Sequence, residues 1–209
     1  MPDEAIGRLR RLFAQLAELK RIRRTGWLDR GVPASETESV ADHSLLTTLI
    51  AWISATSDPE LDADRVLKLA LVHDLTEAIF GDRPPYDRKD VPAGDPEALR
   101  AFFSVRHLRS PEDAIAKREA ERSAAAELLA MMPPIARAQI DSLLAEYEAQ
   151  KTPEAQFVKQ VDRLEAFLQS RAYARDFADL PFAGFTDMAR REIDHPLLAA
   201  IRDDRLDRA

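Results

Sequence analysis

Apolar residues recur at spacings of three and four along most of this chain, and no stretch alternates β-branched with polar residues as a half-buried strand would. That period restricts the fold to packed helices. From Glu4 to Arg23 the apolar positions Ile6, Leu9, Leu12, Phe13, Leu16, Leu19 and Ile22 define an amphipathic helix. Gly26, Gly31 and Pro33 then interrupt the pattern and predict a turn and loop. "SETESVADHSLLTTLIAWISA" offers several Ser, Asp and Thr caps before a second helical run. After Asp58-Pro59, Asp62 or Asp64 caps a helix expected to run to Gly81. Pro84, Pro85, Pro92, Pro96 and Pro111 make residues 83–111 a long loop or lid with one helix in "PEALRAFFSVRHL", and a loop of that length is usually functional or mobile. Helices are expected over 112–131, in "IARAQIDSLLAEYEAQ", and in "EAQFVKQVDRLEAFLQSRAYARDF"; a "PFAGF" loop, a helix around "DMARREI" and "PLLAAIRDDRL" complete the chain. The expectation is an all-α single domain of about seven or eight helices over 1–209, with 176–209 as a C-terminal extension.

Composition removes whole classes of function. The chain has no cysteine, which excludes disulfides, thiolate catalysis and cysteine-ligated metals and fits a reducing compartment. A net charge of −7 argues against binding polymeric nucleic acid but leaves room for a small anionic ligand. No window reaches the roughly 18 apolar residues of a membrane span, and the charged N-terminal stretch does not read as a secretory signal. A cytoplasmic location is expected.

Against this background "LALVHDLTEAIFGD", residues 69–82, is anomalous: His73, Asp74 and Glu77 interrupt an apolar run that ends on Asp82. An unpaired buried carboxylate costs several kcal/mol, so these groups need protons, cations or an open cleft. Adjacent helical residues point about 100° apart, so His73 and Asp74 can share an ion only if it sits between them at the helix surface. His43, in Asp42-His43, lies on another helix, and Asp162 lies beside the apolar face of Phe157, Val158, Val161, Leu164 and Phe167 on a third. Were His43, His73, Asp74 and Asp162 to converge, they would form a mixed nitrogen and oxygen site suited to Mn, Co, Zn, Fe or Mg, and the cation would compensate the buried carboxylates. Taken singly, each has an ordinary structural reading as a core histidine or a paired carboxylate.

The ordered set H43, H73-D74 and D162 resembles the H…HD…D pattern of HD-domain metal-dependent phosphohydrolases. "RTGW" at 24–27, "ESVADHS" at 38–44, "LALVHDLTEAIFGD" at 69–82 and "FVKQVDRLEAFLQ" at 157–169 are similar to the 5'-deoxynucleotidase branch, across about 8–175, with "DHPLLAAI" at 194–201 also alike. The resemblance implies one divalent ion held by His43, His73, Asp74 and Asp162, and removal of the 5'-phosphate from deoxynucleoside monophosphates by a metal-bound water. Glu77 would hold or activate that water and Asp82 would orient substrate and water. Arg24 would bind the phosphate, and Trp27 would shape the sugar pocket. A homodimer is also implied. Lys159 and Glu165, three residues either side of Asp162, are candidate supports of the metal ligands, whereas His107 and His195 are expected to be structural. Between "GD" at 81–82 and the "AKREAERSA" helix near 117 the chain is longer than the branch leads one to expect, with "PEALRAFFSVRHL" as the extra material, and this bears on substrate choice. The competing readings are an HD phosphohydrolase acting on a cyclic nucleotide or a nucleoside triphosphate, and a helical protein that binds metal and nucleotide without catalysis; Glu77 and Asp82 count against the last.

Overall fold

The computed structural model describes residues 2–207, so positions 1 and 208–209 of the expected domain lie outside it. Within that span the regular structure is helical, apart from one isolated antiparallel bridge between Arg23 and Ser39. Helix α1 covers Pro2–Ala17 and gives way to a 3₁₀ turn at Glu18–Lys20 instead of continuing to Arg23. A single turn, α2 (Thr25–Leu28), lies in the expected loop. Helix α3 (Val40–Ala55) opens with a capping box in which the Asp42 backbone donates to Ser39 Oγ and the Ser39 backbone donates to the Asp42 carboxylate. Asp42 thus starts the helix, and only its neighbour His43 turns inward.

Asp62 caps α4 (Ala63–Val72), accepting from the backbone of Arg65. The single helix expected as far as Gly81 breaks here. From 73 to 76 the backbone tightens, with Leu75 bonded to Val72, Glu77 to Asp74 and Ile79 to Thr76, before a last turn, α5 (Glu77–Phe80). The His73 ring contributes to the break, its Nδ1 lying 2.7 Å from the Ala70 carbonyl oxygen. Gly81, at φ 78°, ends the segment where the sequence predicts. Helices α6 (Pro96–Phe102), α7 (Pro111–Met131), α8 (Pro134–Ala149), α9 (Pro153–Asp176), α10 (Ala183–Glu192) and α11 (Pro196–Asp207) follow. The short pieces α2, α5 and α6 carry the number above the expected seven or eight, and α10 begins inside the "PFAGF" stretch that periodicity leaves as loop.

Helices α3, α4 and α9 pack on one another, α8 covers α4, and α10 and α11 rest on α9. The centre is made by Phe157, Val161, Leu164 and Phe167 of α9 against Ala51 and Ala55 of α3 and Val66, Leu69 and Ala70 of α4, all fully buried. Each large side chain there contributes roughly 1.5–3 kcal/mol of burial, and the alanines let the helices approach closely. Asp162 and Glu165 sit on the border of that stripe and are carried into the interior with it.

The 83–111 segment folds against α10. Phe103 is fully buried, the Arg30 guanidinium lies over the rings of Phe103 and Phe185 at 4.0 and 4.5 Å, and the Gly184 backbone donates to the Phe103 carbonyl at 3.0 Å. A side chain at Gly184 would bring a Cβ within 2.8 Å of the carbonyl oxygens of Phe103 and Val105. The absence of one is what lets this wall dock.

Candidate metal centre

Three packed helices bring four donor atoms together. His43 Nε2 of α3 lies 3.4 Å from His73 Nε2 at the end of α4, 3.6 Å from Asp74 Oδ2 and 3.4 Å from Asp162 Oδ1 of α9, and His73 Nε2 lies 3.3 Å from Asp74 Oδ2. His43, His73 and Asp162 bring one ligand atom each to within 4.8 Å of one another, a spacing that a divalent ion bound by nitrogen and oxygen can bridge, and Asp74 stands beside the two imidazoles. Two neutral imidazoles and two carboxylates also match the charge of such an ion, so the residues present fit the group. The break at 73–76 is what makes this possible, because the turn lets adjacent His73 and Asp74 aim at one point.

The surroundings bias these groups. Burial opposes ionisation of Asp74, but the His73 ring, Arg24 and His43 outweigh it and hold the carboxyl well below its usual range. Asp162 is likewise held low against burial, by Lys159 and Arg163. Burial and the Arg24 charge push the His43 imidazole down, yet hydrogen bonds to Asp162 and Glu165 and the Glu165 charge raise it to about 10. Glu77 moves upward, driven by burial and then by the charges of Asp74 and Asp82, and its buried Oε2 has no hydrogen-bond partner. A cation held at Asp74 would offset part of that repulsion and favour the ionised form of Glu77.

A cavity of about 240 Å³ opens beside Asp74 and Asp162 and is bordered as well by Arg24, Trp27, Glu77 and Asp82. The Arg24 guanidinium is 3.1 Å from Asp74 and 3.7 Å from Asp82. Asp82 in turn accepts from the Thr25 backbone at 2.6 Å, while Thr25 Oγ1 donates to its carbonyl at 3.0 Å. This pair of contacts ties the "RTGW" turn to the "GD" turn. Trp27 borders the cavity yet is 2% exposed, stacking on Phe185 at 4.4 Å and meeting Tyr173 and Phe182 edge-on. It is therefore both wall and core.

Of the expected supports, Lys159 donates to Asp162 at 3.1 Å and lies 3.4 Å from the Tyr147 hydroxyl, and Glu165 meets His43 Nδ1 at 2.5 Å. His195 is structural as expected, 3.0 Å from Asp58 and edge-on to Phe157. His107 stacks on Phe102 at 4.1 Å, a packing role, but it also borders the cavity. Lys117 and Arg109 border it too, and periodicity gave no sign of them because each is one charge among many in or before α7. Glu38, which accepts from Trp27 Nε1 at 2.7 Å, stands inside the quoted "ESVADHS" word but drew no attention as a single glutamate.

Fold and site together define an all-helical protein with a buried cluster of histidine and carboxylate side chains that could hold a metal ion. The chain belongs to the HD domain family, whose model matches residues 16–197. It is 33% identical over 190 residues to the 5'-deoxynucleotidase HDDC2 of Mus musculus, covering 90% of this chain and 81% of that one. It is 31% identical over 190 residues to the 5'-deoxynucleotidase hdd1 of Schizosaccharomyces pombe, covering 90% and 84%. The crystal structure of the PH0347 protein from Pyrococcus horikoshii OT3 superposes with a TM-score of 0.68 at 26% identity, over 93% of this chain and 96% of the other.

Proposed function

We propose that this protein is a metal-dependent phosphomonoester hydrolase that removes the 5'-phosphate from deoxynucleoside 5'-monophosphates. The observation that carries the reading is one cavity bordered by Asp74, Asp162, Asp82, the Arg24 guanidinium and Glu77, whose buried Oε2 has no hydrogen-bond partner, beside the buried cluster of His43, His73 and Asp162. Relatives named for this activity, aligned over nine-tenths of the chain, support it.

His43, His73, Asp74 and Asp162 would hold the ion, and the donor set accepts Mn, Co, Mg, Zn or Fe. A divalent ion there supplies positive charge against phosphoryl oxygens and lowers the pKa of water. Arg24 adds a planar fork able to grip two phosphate oxygens. Glu77 accepts the proton of the attacking water, and Asp82, anchored on the Thr25 backbone, fixes the direction of approach and keeps Arg24 in place. Trp27 closes the wall on the sugar side, its ring held flat by Phe185. The bond broken joins phosphorus to the 5'-oxygen, which leaves with a proton taken from water, and the products are a deoxynucleoside and inorganic phosphate.

The same reading makes the protein a cytoplasmic homodimer. Among the described residues no helix is long and apolar enough to cross a membrane. Leu45, Leu46, Leu49, Trp52 and Ile53 stand 40–63% exposed along one face of α3, and a second copy of that face is the simplest cover for it. Light scattering after size exclusion, with Leu49→Glu and Ile53→Glu for comparison, tests this part: a wild type of monomer mass contradicts it.

The activity is tested by phosphate release from dAMP, dGMP, dCMP, TMP and dUMP after chelator treatment and re-addition of Mn, Co or Mg ions, with a cyclic nucleotide and dATP alongside. Release from the monophosphates that depends on added metal is expected. Intact monophosphates with every metal, while other phosphates are cleaved, contradicts the reading.

A further inference from the structure

Behind the metal centre, on the side away from the cavity, runs a file of polar groups that the proposed chemistry does not use. Trp27 Nε1 donates to Glu38 Oε1 at 2.7 Å, and the Glu38 backbone donates to the Tyr173 hydroxyl at 2.8 Å, which in turn donates to the Glu36 carbonyl at 2.9 Å. Glu38, Glu165 and His43 then bring one donor or acceptor atom each to within 4.8 Å of one another. Glu165 is fully buried, with Oε2 on His43 Nδ1 and Oε1 lacking any hydrogen-bond partner.

An orphaned carboxylate oxygen in a dry interior is costly. Its neighbour is a second carboxyl, and one hydrogen between the two resolves the cost. A carboxylate on Nδ1 also fixes the imidazole with its hydrogen on that nitrogen, leaving Nε2 as a lone-pair donor aimed at Asp74, Asp162 and His73.

We infer that Glu38 and Glu165 are positioning residues which set the affinity of the metal centre, Glu165 through its contact with the inner nitrogen of His43 and Glu38, held by Trp27, through its place within 4.8 Å of both. Neither residue is among the four donors. The inference requires a metal at His43 but not the proposed substrate, so binding of the ion, and not phosphate release, is the readout that separates the two.

The test uses the full chain stripped of metal by chelator. Mn ion binding is measured by calorimetry, thermal unfolding of the stripped protein is followed in parallel, and long-range nitrogen–proton NMR with Zn reads the His43 tautomer. Glu165→Gln, nearly isosteric, should weaken Mn binding ten- to hundredfold, the usual effect of losing a ligand's outer partner. Glu38→Ala should weaken it at least several-fold, and Glu38→Gln, whose amide still offers a hydrogen toward Glu165, should restore affinity to within about threefold of wild type. His43 should carry its hydrogen on Nδ1 in wild type and in Glu38→Gln. Wild-type Mn affinity in Glu165→Gln and Glu38→Ala, or a hydrogen on Nε2 in wild type, overturns the inference. If Glu165→Gln fails to fold, the half-buried Glu38 pair decides: equal affinity in Ala and Gln overturns it, and rescue by Gln supports it.

Discussion

Arg24 rests 3.1 Å from Asp74, so the guanidinium assigned to phosphate is held by a carboxylate assigned to metal. The pairing keeps both charges compensated inside a largely buried site and sets Arg24 within reach of any anion bound at the centre. Burial lowers the Arg24 pKa, but Asp82, Asp74, Glu77 and Asp162 together raise it well above its ordinary value, so it remains a cation at every working pH.

Arg24→Ala should lower kcat/KM on a deoxynucleoside monophosphate by roughly a hundredfold or more, the scale of losing a charged oxyanion partner. Arg24→Lys should recover only part of this, because an ammonium lacks the planar fork. Steady-state kinetics on dAMP decide: full activity in Arg24→Lys would show that charge alone suffices.

Glu77→Ala should leave the bound metal near one ion per chain while kcat drops by about a hundredfold or more, as for a positioned base. Metal analysis of the purified variant separates the outcomes. Loss of the ion together with activity would make Glu77 a metal-holding residue instead.

The ion and the proton on His43 compete. With its imidazole raised to about 10 from an ordinary 6.5, the stripped protein carries that proton at neutral pH, and the ion must displace it. The apparent affinity therefore rises with pH and levels off only as pH passes the raised value. Calorimetry at pH 7 in buffers of different ionisation enthalpy should report at least one proton released per Mn ion bound, from His43, with a further contribution from Glu77 that the Glu77→Ala variant lacks; no release in Glu77→Ala would show that His43 is neutral beforehand.

Gly184→Ala should push the Phe103–Val105 backbone off α10, since both carbonyl oxygens stand 2.8 Å from the added carbon. Overpacking of this kind costs about 1–3 kcal/mol, or roughly 2–4 °C of Tm for each kcal/mol in a chain of this size. KM should rise along with the loss of Tm, because the displaced wall borders the cavity. A thermal melt and KM both unchanged would mean that the wall is not held by this contact.

How much of this could be read from residues alone differs from element to element. The stripe Phe157, Val161, Leu164 and Phe167 announces α9, and its neighbours Asp162 and Glu165 are buried because they ride on its edge. The donor set was legible as an ordered pattern, since only four histidines exist and two adjoin aspartates. The break at 73–76 was not, because nothing in "VHDLT" disfavours helix strongly and the contact of the His73 ring with the Ala70 carbonyl leaves no mark on the periodicity. Asp42 looked equivalent to Asp74 as a histidine's neighbour, and only Ser39 three residues earlier distinguishes a helix cap from a donor. The wall at 83–111 escaped the period altogether, as its order comes from the Arg30, Phe103 and Phe185 stack and the close approach at Gly184.

The most direct measurement is anomalous diffraction at the manganese edge from a crystal soaked with Mn ion and dAMP. An ion within about 2.3 Å of His43 Nε2, His73 Nε2, Asp74 and Asp162, with the phosphate between it and Arg24, is the predicted result. An ion bound elsewhere, or one lacking His43 or Asp162 among its ligands, would contradict the account.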